Sequence, residues 1–276
     1  MTEYIEDLSP FFDDPCWMCV LLARRANIGV ILRRGPSSWW RVTLWDTGKD
    51  TFEGGQWFRG RLYPERCDVS PNGKLIIYFA GQFRPQNEDR GYRTTWTAVS
   101  RPPFLTALTL WPIGGTWLGG GVFFDDQTVS IDAPSPHPHP DHPLGPLKLV
   151  EACEDSEPSW NHGWRRAEPA GVRQSSSVKS SGDLTLGRGT APDQFSASRS
   201  RKLYTIYRPK GYPHPAASFE AHWADWDQSG RLVATVGGRV LAGKLTKKNE
   251  LHWRQLTALG DEKPVRMEAP AWAQHW

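Results

Sequence analysis

His137, His139 and His142 stand with Asp141 in one short run, the densest collection of metal-ligand side chains in the sequence. In an extended segment, histidines two apart point to the same side, and two of them can share a divalent cation. Pro138 and Pro140 bias the run toward polyproline II, whose three-residue turn spoils that alignment. No other residue has the spacing of a third or fourth ligand, so we read an exposed loop and assign no metal. Cys16 and Cys19 have the Cys-x-x-Cys spacing. A redox pair belongs at a helix N-terminus within a βαβ pattern, and a zinc site needs a second pair of ligands. Neither context is visible, and in a strand the two side chains face opposite ways. We read them as buried small hydrophobes.

Other chemistry is equally thin. Gly114 to Gly121 holds five glycines in eight residues, but no Lys-Ser/Thr and no helix follows it, so it is not a phosphate cradle. Tight turns explain it. The acid pairs Asp13-Asp14 and Asp125-Asp126 sit in turns. A glycosidase needs two carboxylates facing each other across a sugar, whereas adjacent aspartates point apart. His222-Trp223-Ala224-Asp225 reads as a hydrogen-bonded corner before it reads as a catalytic pair. No Gly-x-Ser-x-Gly elbow supplies a nucleophile. We therefore assign no catalytic, cofactor-binding or metal residues and expect no cofactor.

Fifteen tryptophans are an unusual number, and several neighbour arginines, as in Trp39-Trp40-Arg41 and Trp57-Phe58-Arg59. Such pairs can stack bases or sugars. Packing between sheets, with the arginine stem laid against the ring, is the simpler reading. Any tryptophan left exposed points to a protein interface, where Trp and Arg dominate hot spots. The net charge of +3 and pI near 8.7 lack the clustered basicity of a nucleic-acid binder. Arg199, Arg201 and Lys202, and likewise Lys247 and Lys248, read as solvated turns. There is no run of eighteen apolar residues, so a membrane span is not expected. The acidic start Met1 to Asp7 does not read as a secretory leader, and four cysteines in a chain of this size favour thiols over disulfides. The expectation is a cytosolic protein.

These residues must be placed by a largely β chain. Asp68-Val-Ser-Pro-Asn-Gly-Lys-Leu recurs, loosened, as Asp225-Trp-Asp-Gln-Ser-Gly-Arg-Leu. The copies lie 157 residues apart, which divides into three units of roughly 52, about one propeller blade each. Ser70 to Gly73 is a turn with a mechanism: Pro71 fixes one φ, and Asn72 and Gly73 accept positive φ. Strands are expected over 19–23, 27–32, 39–45, 74–79, 94–99, 105–111, 122–124, 128–131, 203–207, 232–236, 240–245 and 251–256, with Gly237-Gly238 as a hairpin turn. Thr51-Phe52 should open a short outer strand. No segment has a strong 3.6-residue apolar period, so helix content should be low. Residues 172–201, rich in serine, are expected to be a mobile insertion in a single domain spanning 1–276.

Ser70-Pro71-Asn72-Gly73-Lys74-Leu75-Ile76-Ile77-Tyr78-Phe79 resembles the WD40-like repeat of TolB-type β-propellers, which reads Ser-Pro-Asp-Gly-Lys before an inner strand. The copy at 225–235 keeps the glycine, the base and the strand but lacks the proline. The resemblance implies an all-β propeller of about five blades, with four blades and a long insertion at 132–202 as the alternative. It implies no activity, because propellers host binding, scaffolding and catalysis alike. The functional expectation is a non-catalytic protein–protein interaction or scaffolding module, whose partner is another protein rather than nucleic acid, membrane or a small-molecule substrate. The alternative is a carbohydrate-binding or glycoside-hydrolysing propeller. Trp272 and Trp276 suggest a packed C-terminus, with an N-terminal strand closing the ring.

Overall fold

The structure is a computed structural model and describes residues 4–83, 91–151, 162–167, 177–190, 201–209 and 214–276. The chain is all-β, and the strands among the described residues fall into five sheets that succeed one another in sequence. Two compact units divide them: residues 1–19 with 163–262, and residues 20–162 with 263–276.

The larger unit carries the first three sheets. The first is a meander of β1 (Trp17–Leu22, where the division between units falls), β2 (Ile28–Arg34), β3 (Trp39–Asp46) and β4 (Thr51–Arg59). β4 runs well past the short strand expected there. Arg41 and Trp57 are cross-strand partners, as are Trp39 and Arg59, which extends the pairing. The second sheet orders β5 (Arg61–Leu62), β7 (Ile76–Gly81), β8 (Thr95–Ser100) and β9 (Thr109–Pro112), with β6 (Asp68–Val69) also on β7. Every residue of β7 is buried, as an unbroken apolar run in a central strand requires. The third sheet pairs β10 (Gly121–Phe123) with β11 (Thr128–Ile131), and β11 with β12 (Lys148–Leu149), the last pair parallel. Ile77, Val99, Trp111, Phe123, Val129 and Leu147 form the core here. A smaller cluster joins Phe104 to Ala269 and to Ala273 of a short α-helix, α1 (Ala271–Gln274).

The smaller unit carries the other two sheets. One is β13 (Arg165–Arg166), β14 (Ser177–Ser181), β15 (Leu184–Thr190), β16 (Lys202–Tyr207) and β17 (Pro215–Ala221), all antiparallel. The other is β18 (Trp223–Trp226), β19 (Leu232–Val236), β20 (Arg239–Leu245) and β21 (Leu251–Ala258). Residues 177–190, inside the stretch expected to be an insertion, are thus a hairpin in the middle of a sheet. Its serines and lysine alternate with few apolar residues, and the hairpin is recruited by pairing with β16 rather than by its own hydrophobicity. Residues 172–176 and 191–200, including Arg199, lie outside the described residues, as does Cys153. Ser218 to Trp226 is shared between β17 and β18, which belong to two different sheets. The core of this unit packs Trp164, Tyr204, Phe219, Trp226 and Trp253 with Leu8 of the N-terminal lead-in.

An N-terminal strand does not complete the last sheet. Among the described residues, β1 pairs with β2, and the lead-in meets β21 through an isolated bridge between Ile5 and Trp253 and a Tyr4–His252 ring contact. The Ile5 and Trp253 backbones exchange both hydrogen bonds at 2.8 Å. No helix among the described residues is long and apolar enough to cross a membrane, which says nothing of spans made by strands.

Candidate functional site: the loop that presents Trp117

The glycine-rich segment between β9 and β10 holds Trp117, whose side chain is 93% exposed. Leu118 beside it is 40% exposed. Burying an indole stabilises a fold by a few kcal/mol (roughly 2–3), so a chain that leaves one in water forgoes that gain at this position. The loop around it is tightly held. Arg66 Nη1 donates to the carbonyls of both Thr116 and Leu118 at 3.0 Å, straddling Trp117. Thr95 Oγ1 donates to Gly115 O at 2.6 Å, and Gly120 N donates to Thr97 Oγ1 at 2.8 Å. The Arg66 guanidinium lies 5.3 Å from the Phe79 ring centroid and 6.0 Å from that of Tyr63. Gly119, at φ +118°, rests on the Phe79 ring, where a Cβ would come within 2.3 Å of a ring carbon. The glycines therefore let the backbone approach a fixed aromatic platform while the indole projects outward. Sequence reasoning accounted for the turns but not for Trp117. The signal lay in Arg66, 50 residues from Thr116, and could be recognised only once both were placed.

The residues singled out in the sequence have other duties. His139 is buried and stacks on Tyr92, with centroids 4.1 Å apart. His142 Nδ1 donates to Ala107 O at 3.0 Å, which leaves Nε2 to accept the Tyr92 hydroxyl at 3.1 Å. His137 is exposed. The run is half packed rather than wholly exposed, and no group of three or more His, Cys, Asp or Glu is placed to hold a metal among the described residues. Cys16 and Cys19 are buried.

Both members of the Asp125-Asp126 pair are engaged. Asp125 accepts from Gln127 N, from Thr128 Oγ1 and from Thr128 N, and these bonds lower its carboxyl below the usual range. Asp126 accepts from Asn72 N at 2.9 Å and pairs with Arg25 at 2.8 Å. Asp14 accepts from Cys16 N at 2.9 Å. His222 and Asp225 do not pair with each other. Asp225 meets Lys179 Nζ at 2.8 Å, Trp164 Nε1 at 3.2 Å and Trp226 N at 2.7 Å. Burial raises its carboxyl above the usual range, against the pull of Lys179. His222 packs edge-on against Phe12, and burial lowers its imidazole to about 4.

The Trp/Arg pairs stack within one sheet. The guanidinium groups of Arg33 and Arg41 lie 5.1 and 5.5 Å from the Trp57 ring centroid, and that of Arg59 lies 5.9 Å from the Trp39 centroid. Arg201 stacks on Phe12 at 4.2 Å and meets Glu220 at 3.7 Å, and Lys202 is the first residue of β16 rather than a turn.

Neither a protein-family model nor a curated protein matches the chain. Among solved structures, it is similar to an uncharacterized protein of Listeria monocytogenes EGD-e, at 8% identity and TM-score 0.32 over 90% of this chain and 85% of that one. It is also similar to TolB of Acinetobacter baumannii, at 11% identity and TM-score 0.30 over 88% of this chain. The chain spans about half of that TolB, 54% of its length.

Proposed function

We propose that this chain is a five-bladed β-propeller, one blade per sheet, that works as a non-catalytic protein-interaction module with Trp117 as its anchor. One feature supports the propeller: among the described residues, the sheets follow one another in sequence without interleaving. The observation that carries the function is the 93% exposed indole on a loop held at both flanks by Arg66. A tryptophan on a backbone held at both flanks brings a large apolar face to a partner, and interface hot spots favour it. The engaged carboxylates of Asp125, Asp126 and Asp225 favour a binding role over acid–base chemistry.

The test is capture from source-cell extract with wild-type protein and with Trp117→Ala, followed by mass spectrometry. A stoichiometric protein held by the wild type and lost by the variant is the expected outcome, with melting temperatures equal. Equal retention by both proteins would refute Trp117 as the anchor. The same indole face fits a pyranose ring, so a carbohydrate-binding propeller is the second reading. Quenching of tryptophan fluorescence by a glycan panel, abolished in Trp117→Ala, would favour it.

A further inference from the structure

The larger unit contains an open cleft of about 570 Å³ between the Ser70–Lys74 turn, the Asp125–Gln127 turn and the Pro146-Leu147 segment, with Trp276 in its wall. Its volume is that of a small-molecule site. Three cations (Arg25, Lys74, Arg101) and two carboxylates (Asp125, Asp126) line it. The carboxylates are already committed. Asp126 is neutralised by Arg25 and accepts from Asn72 N, and three donors at Gln127 and Thr128 engage Asp125. That leaves Lys74 and Arg101. Lys74 is exposed and has no carboxylate partner among the described residues. Arg101 is half-buried. Its Nε is shut from solvent with no acceptor, and Nη2 reaches only His275 O, at 3.5 Å. Arg101 thus makes one long hydrogen bond, and its terminal nitrogens can donate stronger, charge-assisted bonds to an anion.

The apolar side of the cleft is preformed. The Trp276 indole lies over Gly145, where a Cβ would come within 2.4 Å of the ring, and its Nε1 donates to Pro143 O at 3.4 Å. Trp276 also packs against the core that contains Leu75 and Leu147. A flat apolar surface thus stands beside two uncommitted cations.

We propose that this cleft binds a small organic anion, a phosphate monoester or carboxylate carried on a flat apolar body, with Arg101 and Lys74 holding the anion and Trp276 stacking on the body. The proposal is independent of the role of Trp117. The test is calorimetric titration of the full chain at low salt with phenyl phosphate and with benzoate, alongside inorganic phosphate and benzyl alcohol. At least one of the aromatic anions should bind saturably, and inorganic phosphate and benzyl alcohol, which each lack half of the recognised chemistry, should bind about tenfold more weakly or worse. The tighter of the two aromatic anions identifies the head group. Arg101→Gln and Lys74→Gln should each weaken that binding, by about three- to tenfold, at unchanged melting temperature. Lys74 is exposed, so its substitution tests the site even if the Arg101 variant is unstable. Absence of saturable binding by both aromatic anions, or binding untouched by Lys74→Gln and by a folded Arg101→Gln, would overturn the proposal.

Discussion

The two copies of the Asp-x4-Gly-base corner, one in each unit, adopt the same turn and satisfy it with different chemistry. Gly73 and Gly230 sit at nearly identical positive φ, +76° and +77°. Asp68 Oδ1 accepts from Val69 N, and Asp225 Oδ1 accepts from Trp226 N, each from the residue that follows. From there the corners diverge. Asp68 Oδ2 accepts from Phe123 N of β10 at 2.7 Å, and the turn is closed by neutral groups, Ser70 Oγ accepting from Leu75 N and Asn72 Oδ1 accepting from Lys74 N. Asp225 is instead held by the Lys179 ammonium and the Trp164 indole, and its turn is closed by the Asp227–Arg231 ion pair at 2.9 Å. The strand register differs too: Asp68 lies opposite Ile77, whereas Asp225 lies opposite Val233, one residue nearer its turn. A turn fixed by one left-handed glycine can thus be stabilised by neutral donors in one place and by charge in another. The charged corner should carry the protein's sensitivity to pH and salt.

The largest expected effect tests that asymmetry directly. Asp225→Ala strips a buried ammonium of its partner and should cost about 3–5 kcal/mol. Asp68→Ala orphans two backbone N–H groups and should cost less, about 2–3 kcal/mol. Urea unfolding of both variants checks the order, and equal losses would break the comparison.

Acid should act next, and again on the smaller unit. His222 is held neutral, with its imidazole lowered from 6.5 to about 4 by burial. The unfolded chain therefore binds the extra proton first as pH falls, so the stability this group contributes is complete above 6.5 and is lost on descent toward 4. The loss amounts to about 3 kcal/mol. Asp225 slopes the other way. Its carboxyl is raised in the folded state, so its stabilising contribution is full at pH below the ordinary carboxylate value and fades as pH rises through the raised one. Unfolding free energies measured from pH 4 to 8 should flatten on the acid side in His222→Leu, and in Asp225→Asn the opposing slope should disappear.

The glycines rank below these. A Cβ on Gly73 would fall 2.7 Å from Ile28, whereas at Gly230 it would meet only the movable Ser181 hydroxyl, also at 2.7 Å. Gly230→Ala should cost about 1–2 kcal/mol for the left-handed backbone alone. Gly73→Ala should exceed it by about 1 kcal/mol or more through the clash. Thermal melts of the pair decide this. The smallest effect is electrostatic: Arg231→Met should cost about 1 kcal/mol, and raising the salt concentration should weaken the wild-type protein more than the variant.

Much of the strand pattern could be read from the sequence because its causes are local. Alternating or continuous apolar runs define β2, β3, β7 and β19, and Gly237-Gly238, both at positive φ, set the hairpin that follows. The hairpin 177–190 was not legible, because polar strands inside a sheet owe their order to neighbouring strands rather than to their own sequence. The candidate site was half legible. Glycines at 114–121 announce tight turns whatever surrounds them, since positive φ is a property of the residue itself. Whether Trp117 is buried or presented depends on Arg66, Thr95 and Thr97, which only folding brings to the loop. The same division separates the two corners. The amino-acid sequence alone determined the turn, because a left-handed glycine needs no distant partner. Only the tertiary structure decided what neutralises each buried aspartate, a backbone amide at Phe123 in one case and the Lys179 ammonium in the other, because electrostatic partners are chosen by proximity in space.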